Sequence, residues 1–376
     1  MMSYARTLLP AAALLAACNP QSGAVAQDSG AQDGRPFSVT EVAEFVSPWA
    51  MTFLPDGRML ITEKAGAMLL VSPDGKTRAA VSGIPAVSSA GQGALMDVVL
   101  HPEFARNHWV YFSYSEARAD GLKGVVLARG TLSDSSSPSL QNVETLFRAD
   151  PYVEGNGHFS GRILFAPDGH LFFTNGDRQK FTPAQDPKAT LGKVLRLNED
   201  GTAAKGNPLA AKGFHPAAWT YGNRNLLGIA FDPKGNLWEV EMGPKGGDEV
   251  NLIKPGVNYG WPNASNGSHY DGKDIPDHAP GDGYQAPKIW WNPSISPGDL
   301  IVYSGKAFPE WRGDILIAAL SGKALIRIEL NGTDANKADQ WDMGARIREV
   351  EQGPDGAVWL LEDGRKGRLL KLMPKR

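Results

Sequence analysis

Ile163-Leu164-Phe165-Ala166-Pro167-Asp168-Gly169-His170-Leu171-Phe172-Phe173 is the stretch whose reading decides the fold. A short apolar run leads into a Pro-Asp-Gly turn, and a second apolar run follows. Proline fixes φ and glycine tolerates positive φ, so such a turn joins adjacent antiparallel strands. The phrase recurs around Pro55-Asp56-Gly57, Pro233-Lys234-Gly235 and Pro354-Asp355-Gly356. Degenerate copies lie at His101-Pro102-Glu103-Phe104 and Phe308-Pro309-Glu310. The marker prolines 55, 102, 167, 233, 309 and 354 are 47, 65, 66, 76 and 45 residues apart. A four-stranded propeller blade takes roughly 40 to 50 residues, and the longer spacings leave room for insertions. Six copies without a sustained helical period predict an all-β, six-bladed β-propeller around a central channel. A solenoid is the other architecture of this period, and the turn-and-strand content favours the propeller. Residues 144–150 and 184–192 stay open between short helix and loop. Residues 177–222 and 243–297 are the longest stretches without the repeat. Long ordered loops are usually functional, so these are expected at one mouth of the channel.

Composition points the same way. Gly 43 and Pro 27 make up about 19% of the 376 residues, against roughly 12% in an average chain. A helical bundle would exclude both from its interiors. With 38 basic and 41 acidic residues the net charge is -3. No basic excess exists for counterion release, so generic nucleic-acid binding is not expected. One cysteine makes neither an internal disulfide nor a cysteine-ligated zinc site.

That cysteine, Cys18, closes the amino-terminal stretch MMSYARTLLPAAALLAAC. Arg6 followed by a short apolar run reads as a signal peptide over 1–17, too short to span a membrane. Leu15-Ala16-Ala17-Cys18 resembles the bacterial lipobox, in which cleavage leaves a lipid-modified amino-terminal cysteine. An ordinary secretory signal with a chance cysteine is the alternative. Asn19 follows without an Asp, so the expectation is an exported outer-membrane lipoprotein on the periplasmic side. Residues 18–36 are too poor in apolar side chains to fold and read as a flexible tether. Residues 37–376 are expected to form a single propeller domain.

Several chemistries are excluded. The chain has no Gly-x-Ser-x-Gly elbow, no phosphate loop with Lys-Ser/Thr and no His-Glu-x-x-His. What remains is a set of polar clusters. Gln92, between Gly91 and Gly93, can be presented to a ligand or can simply belong to a turn. His158 lies among small residues in Gly155-Asn156-Gly157-His158-Phe159-Ser160-Gly161-Arg162, and can face solvent or be a satisfied structural histidine. Arg224 and Asn225, in Tyr221-Gly222-Asn223-Arg224-Asn225, can fix an anionic, oxygen-rich ligand or a turn network. Residues 241–252, with Gly243-Pro244 and Asp248-Glu249, offer freed carbonyls and charge suited to a hard cation, or an acidic surface turn. On a strand Arg346 and Arg348 face the same side, where they repel unless an anion lies between them. Surface salt bridges are the other reading of that pair.

Together, in this order, the clusters resemble the soluble quinoprotein sugar dehydrogenases, the glucose/sorbosone dehydrogenase family, and within it the aldose sugar dehydrogenases that use pyrroloquinoline quinone (PQQ). The matching phrases include Pro48-Trp49, Gly91-Gln92-Gly93, Tyr221-Gly222-Asn223-Arg224-Asn225, Gly247-Asp248-Glu249 and Asn258-Tyr259-Gly260-Trp261-Pro262. The resemblance implies His158 as general base, Asp177 as the carboxylate that orients it, and Arg224 as stabiliser of developing charge. It implies a PQQ site at Gln92, Arg224, Asn225, Ser294, Arg346 and Arg348. Gly243 and Pro244 would offer backbone oxygens to a Ca²⁺ shared with PQQ, and Glu249 and Tyr259 would bind a further structural Ca²⁺. The implied reaction takes an aldose to its lactone by hydride transfer from C1, with an electron acceptor on the periplasmic side as partner. Two positions depart from the family pattern. Gly157 stands where members often have Asp, and Ser321 replaces the family's cofactor lysine, with Lys323 two residues on as its substitute. A Ca²⁺-stabilised lactonase propeller and a non-enzymatic carbohydrate- or protein-binding propeller are the competing classes. Neither needs two arginines facing one anion.

Overall fold

The computed structural model describes residues 34–133 and 135–375. The predicted signal peptide and Cys18 lie outside them. Six antiparallel sheets follow one another as blades. Blade I is Pro48–Phe53, Met59–Glu63, Met68–Val71 and Arg78–Ala80. Blade II is Leu95–Leu100, Trp109–Ala117, Lys123–Ser133 and Ser139–Arg148. Blade III has three strands, Ser160–Phe165, Leu171–Asn175 and Lys193–Leu197, with Ala203 and Ala218 bridging to its outer strand. Blade IV is Leu226–Phe231, Leu237–Glu241, Asp248–Ile253 and Ile289–Trp291. Blade V is Pro297–Val302, Ile315–Ala319, Ala324–Asn331 and Asp334–Asp342. The last blade is Ile347–Gln352, Val358–Glu362 and Gly367–Pro374, completed by the amino-terminal strand Phe37–Phe45.

This closure was not foreseen from the repeat, because Phe37–Phe45 precedes the first marker turn. The strand pairs antiparallel along nearly all of Gly367–Pro374. Phe37, 1% exposed, meets Trp341 and Trp311 edge-on at 5.3 and 6.1 Å. Residues 144–148 are strand, not helix. They form the end of the outer strand of blade II, where Glu144 pairs with Arg129 across the sheet. The 243–297 stretch also contains two strands of blade IV, so it is part blade and part loop.

Every marker turn sits at the same place, between the innermost and second strands of its blade. At the Pro167 turn, Ala166 N donates to His170 O at 2.8 Å, and Asp168 Oδ1 accepts from His170 N at 3.1 Å. The innermost strands pack in cyclic order around the channel. At its other end each of the six carries a register shift, at Pro48/Ala50, Leu95/Val98, Ser160/Ile163, Leu226/Gly228, Pro297/Asp299 and Ile347/Glu349. A β-bulge of this kind re-aims a side chain. Asp97, Arg162 and Arg348 fall within these shifts.

Arg162 exploits the bulge most fully. Its Nε donates to Leu227 O at 2.6 Å, Nη1 to Asp97 Oδ1 at 3.2 Å and Nη2 to Gly298 O at 2.6 Å. Nη2 also lies 2.8 Å from Glu349 and 3.3 Å from Asp299, and the guanidinium sits over the Trp49 ring at 4.3 Å. Removing one member of a buried ion cluster leaves uncompensated charge. Arg162→Ala should therefore lower the unfolding free energy by about 3–5 kcal/mol, read from urea denaturation. A loss of no more than about 1 kcal/mol, the value of a surface pair, would show that blade closure does not use this ion.

Candidate active site

The ends of the innermost strands opposite the marker turns surround two cavities. One, of about 270 Å³, is lined by His158, Asp177, Arg224 and Trp261, among others. Its neighbour, of about 380 Å³, is lined by Gln92, Asn225, Arg346 and Arg348, among others. Tyr270 borders both.

His158 stands just before the first strand of blade III, with φ of 48°, and Ser160 follows at 59°. Two left-handed non-glycine residues so close together are costly and must be held by their surroundings. Three groups hold them. His158 N donates to Gln92 Oε1 at 2.7 Å. Ser160 Oγ donates to Asn225 Oδ1 at 3.2 Å. Arg178, 1% exposed, donates to Gly157 O, Lys123 O and Gly155 O at 2.7–2.8 Å and lies over the Phe159 ring. Among the described residues its guanidinium has no carboxylate partner at those distances, and burial brings its pKa down to about 10.

The His158 ring is fixed by Asp177, with Nδ1 and Oδ1 2.6 Å apart. Asp177 is fully buried; its Oδ2 accepts from Trp261 Nε1 at 2.7 Å, and its Oδ1 also accepts from Gln179 N at 2.9 Å. Gly176 permits this approach, because a Cβ there would strike the His158 carbonyl. Burial raises the Asp177 pKa, but the His158 hydrogen bond and charge, Arg224 and the Gln179 amide outweigh it and hold the carboxyl below its usual value. Burial pushes His158 below the ordinary histidine value, the Asp177 hydrogen bond opposes this in part, and the Arg224 charge adds to it. The ring is thus neutral at pH 7. An ionised carboxylate accepts from Nδ1–H, which leaves Nε2 as the basic nitrogen.

Arg224 presents a guanidinium to the same cavity. Nη1 donates to Met242 O and Gly243 O, its backbone N–H donates to Glu241, and Nε is buried without a partner among the described residues. Arg346 and Arg348 do face one cavity, and the anion between them is partly the protein's own. Asp363 lies 2.9 Å from Arg346 Nε and 3.6 Å from Arg348 Nη2. Arg348 Nε is buried and unpartnered among the described residues.

Not every expected residue arrives. The Ser294 hydroxyl is committed to Asp248 Oδ2 at 2.5 Å, and Ser296, not Ser294, lines the cavity. Lys323 is exposed and outside both cavity walls. Ser321 donates to Ser294 O at 3.1 Å and Ser296 Oγ at 2.8 Å. At Gly157 the space a side chain would fill is taken by the Gln179 amide. Pro244 lines the His158 cavity, whereas the Gly243 carbonyl already accepts from Arg224. Glu249 lies buried beside Glu241 and Glu239, all three touching Asn251 Nδ2 at 3.2–3.3 Å. Burial and mutual repulsion raise the Glu239 and Glu249 pKa values well above normal, and burial raises Glu241 as well. The Tyr259 hydroxyl is engaged, donating to Leu252 O at 2.7 Å and accepting from Lys254 N at 2.8 Å. Among the described residues no group of three or more acidic, His or Cys side chains forms a ready metal cage.

Arg178, Trp261 and Gln179 were missed from sequence. Arg178 and Gln179 directly follow Asp177, but nothing in a bare Asp-Arg-Gln says that the guanidinium turns back to residues 155–157.

The family model described as Glucose / Sorbosone dehydrogenase matches residues 45–371. The chain is 38% identical over 336 residues to the aldose sugar dehydrogenase YliI of Escherichia coli K12, covering 87% of this chain and 90% of that protein. The crystal structure of the soluble aldose sugar dehydrogenase of Escherichia coli in the apo-form superposes with a TM-score of 0.86 at 37% identity, over 90% of this chain and 100% of that one. The PQQ-bound aldose sugar dehydrogenase of Streptomyces coelicolor gives 0.76 at 29% identity, over 90% and 98%. The chain belongs to the glucose/sorbosone dehydrogenase family and is an oxidoreductase by that membership.

Two outcomes follow from the geometry. If His158 is the general base that the resemblance implies, it must be unprotonated, so kcat/KM should fall only as pH drops through its depressed pKa, below the ordinary value of 6.5. Asp177→Asn removes the contacts that raise this pKa and should move the acid limb lower still while reducing the maximal rate. An upward shift of the limb in that variant would contradict the assignment. Arg178→Ala should leave a folded protein whose kcat is roughly tenfold or more lower, because the base loses its alignment. Unchanged kcat would show that the 155–158 loop holds itself.

Proposed function

We propose that the chain is a PQQ-dependent aldose dehydrogenase, oxidising the anomeric carbon of a sugar to a lactone. The observation that carries this reading is the juxtaposition of a buried, neutral His158 held by the Asp177 carboxylate with a cavity whose wall carries Arg346 and Arg348. PQQ bears carboxylates, and the buried, unpartnered Arg348 Nε fits an anionic guest there. Gln92, Asn225 and Ser296 are the neutral polar groups that would orient it. Bound PQQ would supply the two-electron acceptor for the hydride leaving C1.

The sugar enters the His158 cavity, whose walls include the aromatic rings of Phe181, Trp261 and Tyr270. His158 Nε2 removes the anomeric hydroxyl proton, and Asp177 stabilises the imidazolium that forms. The unpartnered Arg224 Nε is the group that would donate to oxygen as charge develops there.

Ca²⁺ belongs to the reading in two places. Gly243 and Pro244 are the backbone candidates beside PQQ, and Gly243 O would serve a cation while also accepting from Arg224. The buried Glu239, Glu241 and Glu249 offer oxygens that a hard cation would neutralise in place of protons, with orphaned oxygens on Glu239 and Glu249. There a cation would act on stability. Export through residues 1–17, anchoring at Cys18 and delivery of electrons to a periplasmic acceptor complete the reading.

Reconstitution of the purified protein with PQQ and Ca²⁺, followed by dye reduction over a panel of aldoses, tests it. Turnover should require PQQ, and His158→Ala should lose roughly 10²–10⁴-fold in kcat while still binding PQQ. Wild-type-like turnover in His158→Ala, or lactone hydrolysis without PQQ, would sink the assignment.

A further inference from the structure

We propose that Lys64 is a third cation of the cofactor cavity, reaching from blade I to a carboxylate of the bound quinone and supplying the charge that Ser321 does not. The inference rests on the PQQ reading above. Lys64 directly follows the strand Met59–Glu63, and its backbone N–H donates to Ser47 O at 2.9 Å. Its Nζ reaches the Gly91 carbonyl, and its side chain lines the same wall as Gln92, Arg346 and Arg348. Among the described residues no carboxylate lies within ion-pair distance of Nζ, which donates instead to the Gly91 carbonyl.

The charge balance of this cavity is the reason for the assignment. Lys64, Arg346 and Arg348 line it with a single acid, Asp363. Asp363 is already shared by the two arginines. Burial raises its pKa, yet Arg348, Arg346 and Lys64 together hold it below normal. Three cations against one carboxylate leave a surplus of two positive charges in a partly desolvated space. Such a surplus is costly to the empty protein and is relieved by a guest with at least two negative charges. A quinone carrying several carboxylates matches this requirement, whereas a neutral sugar does not.

Lys64 suits this role better than Lys323. Lys323 is exposed and outside the wall, and the Ser321 hydroxyl is spent on Ser294 and Ser296. A lysine ammonium on a flexible stem can leave a backbone carbonyl for a carboxylate with little rearrangement. A purely structural role is the competing explanation. Lys64 would then only pin Gly91, and through the neighbouring Gln92 the backbone of His158.

Equilibrium PQQ binding to the purified apoprotein, read by quenching of tryptophan fluorescence, separates these roles. Lys64→Gln keeps an N–H donor for Gly91 O but removes the charge. It should weaken PQQ binding roughly ten- to a hundredfold and flatten the salt dependence, with the thermal midpoint unchanged. Lys64→Arg should bind within a few-fold of wild type, and Ser321→Lys in the Lys64→Gln background should recover much of the loss. Wild-type-like affinity in Lys64→Gln overturns the inference, as does a loss in Lys323→Gln without one in Lys64→Gln. If wild type itself fails to bind PQQ, the proposed function falls first and this inference with it.

Discussion

One guanidinium touches all six blades. Arg162 belongs to blade III and meets Trp49 of blade I, Asp97 of blade II, Leu227 of blade IV, Gly298 and Asp299 of blade V and Glu349 of the last blade. A propeller leaves a hole at its axis, and apolar side chains from six converging strands would compete for it. A planar ion with five donors fills that hole and orients the strands at once. The cost is desolvation of the ion and of three carboxylates, whose pKa values burial raises. That cost is offset only while every partner is in place. The arrangement therefore ties the blades together more by mutual dependence than by net stabilisation.

The device that aims Arg162 inward also builds the site. All six innermost strands slip register near the end opposite their marker turns. In blade III the slip turns Arg162 to the axis and follows directly on His158 and Ser160 at positive φ. In the last blade it turns Arg348 into the cavity lined by Gln92 and Arg346. The axial and the cavity-lining arginines thus come from one backbone irregularity, distinguished by what faces them. Arg162 has three carboxylates, whereas Arg346 and Arg348 share one.

This explains how far the sequence could be read. The Pro-Asp-Gly turns count the blades because turn chemistry is local. Those turns lie at the end of the channel away from His158, so they say nothing about chemistry. His158, Asp177, Gln92 and Arg224 became legible through ordered resemblance, since positions 92, 158 and 224 meet only after three blades have closed. Lys323 was a reasonable substitute for the missing lysine by sequence distance alone. It fails because the chain turns at positive φ there and leaves the side chain exposed. The amino-terminal strand was invisible because pairing across more than 300 residues leaves no periodic mark. Arg178 was invisible because a buried cation satisfied by carbonyls carries no signature in its neighbours.

The two cavities ask opposite things of charge, and the fold keeps them apart. A base must stay neutral to accept a proton, and a cationic neighbourhood helps by depressing its pKa; Arg224 acts in this direction on His158. Too strong a field would also weaken the base. The field is moderated by Asp177, buried against His158 Nδ1. Surplus positive charge is concentrated instead beyond Tyr270, where an anionic guest would neutralise it. Filling that cavity would relieve repulsion among Lys64, Arg346 and Arg348 and draw together segments of blade I and the last blade. Those blades meet where the propeller ring closes, so the cofactor would also act as a brace at its seam.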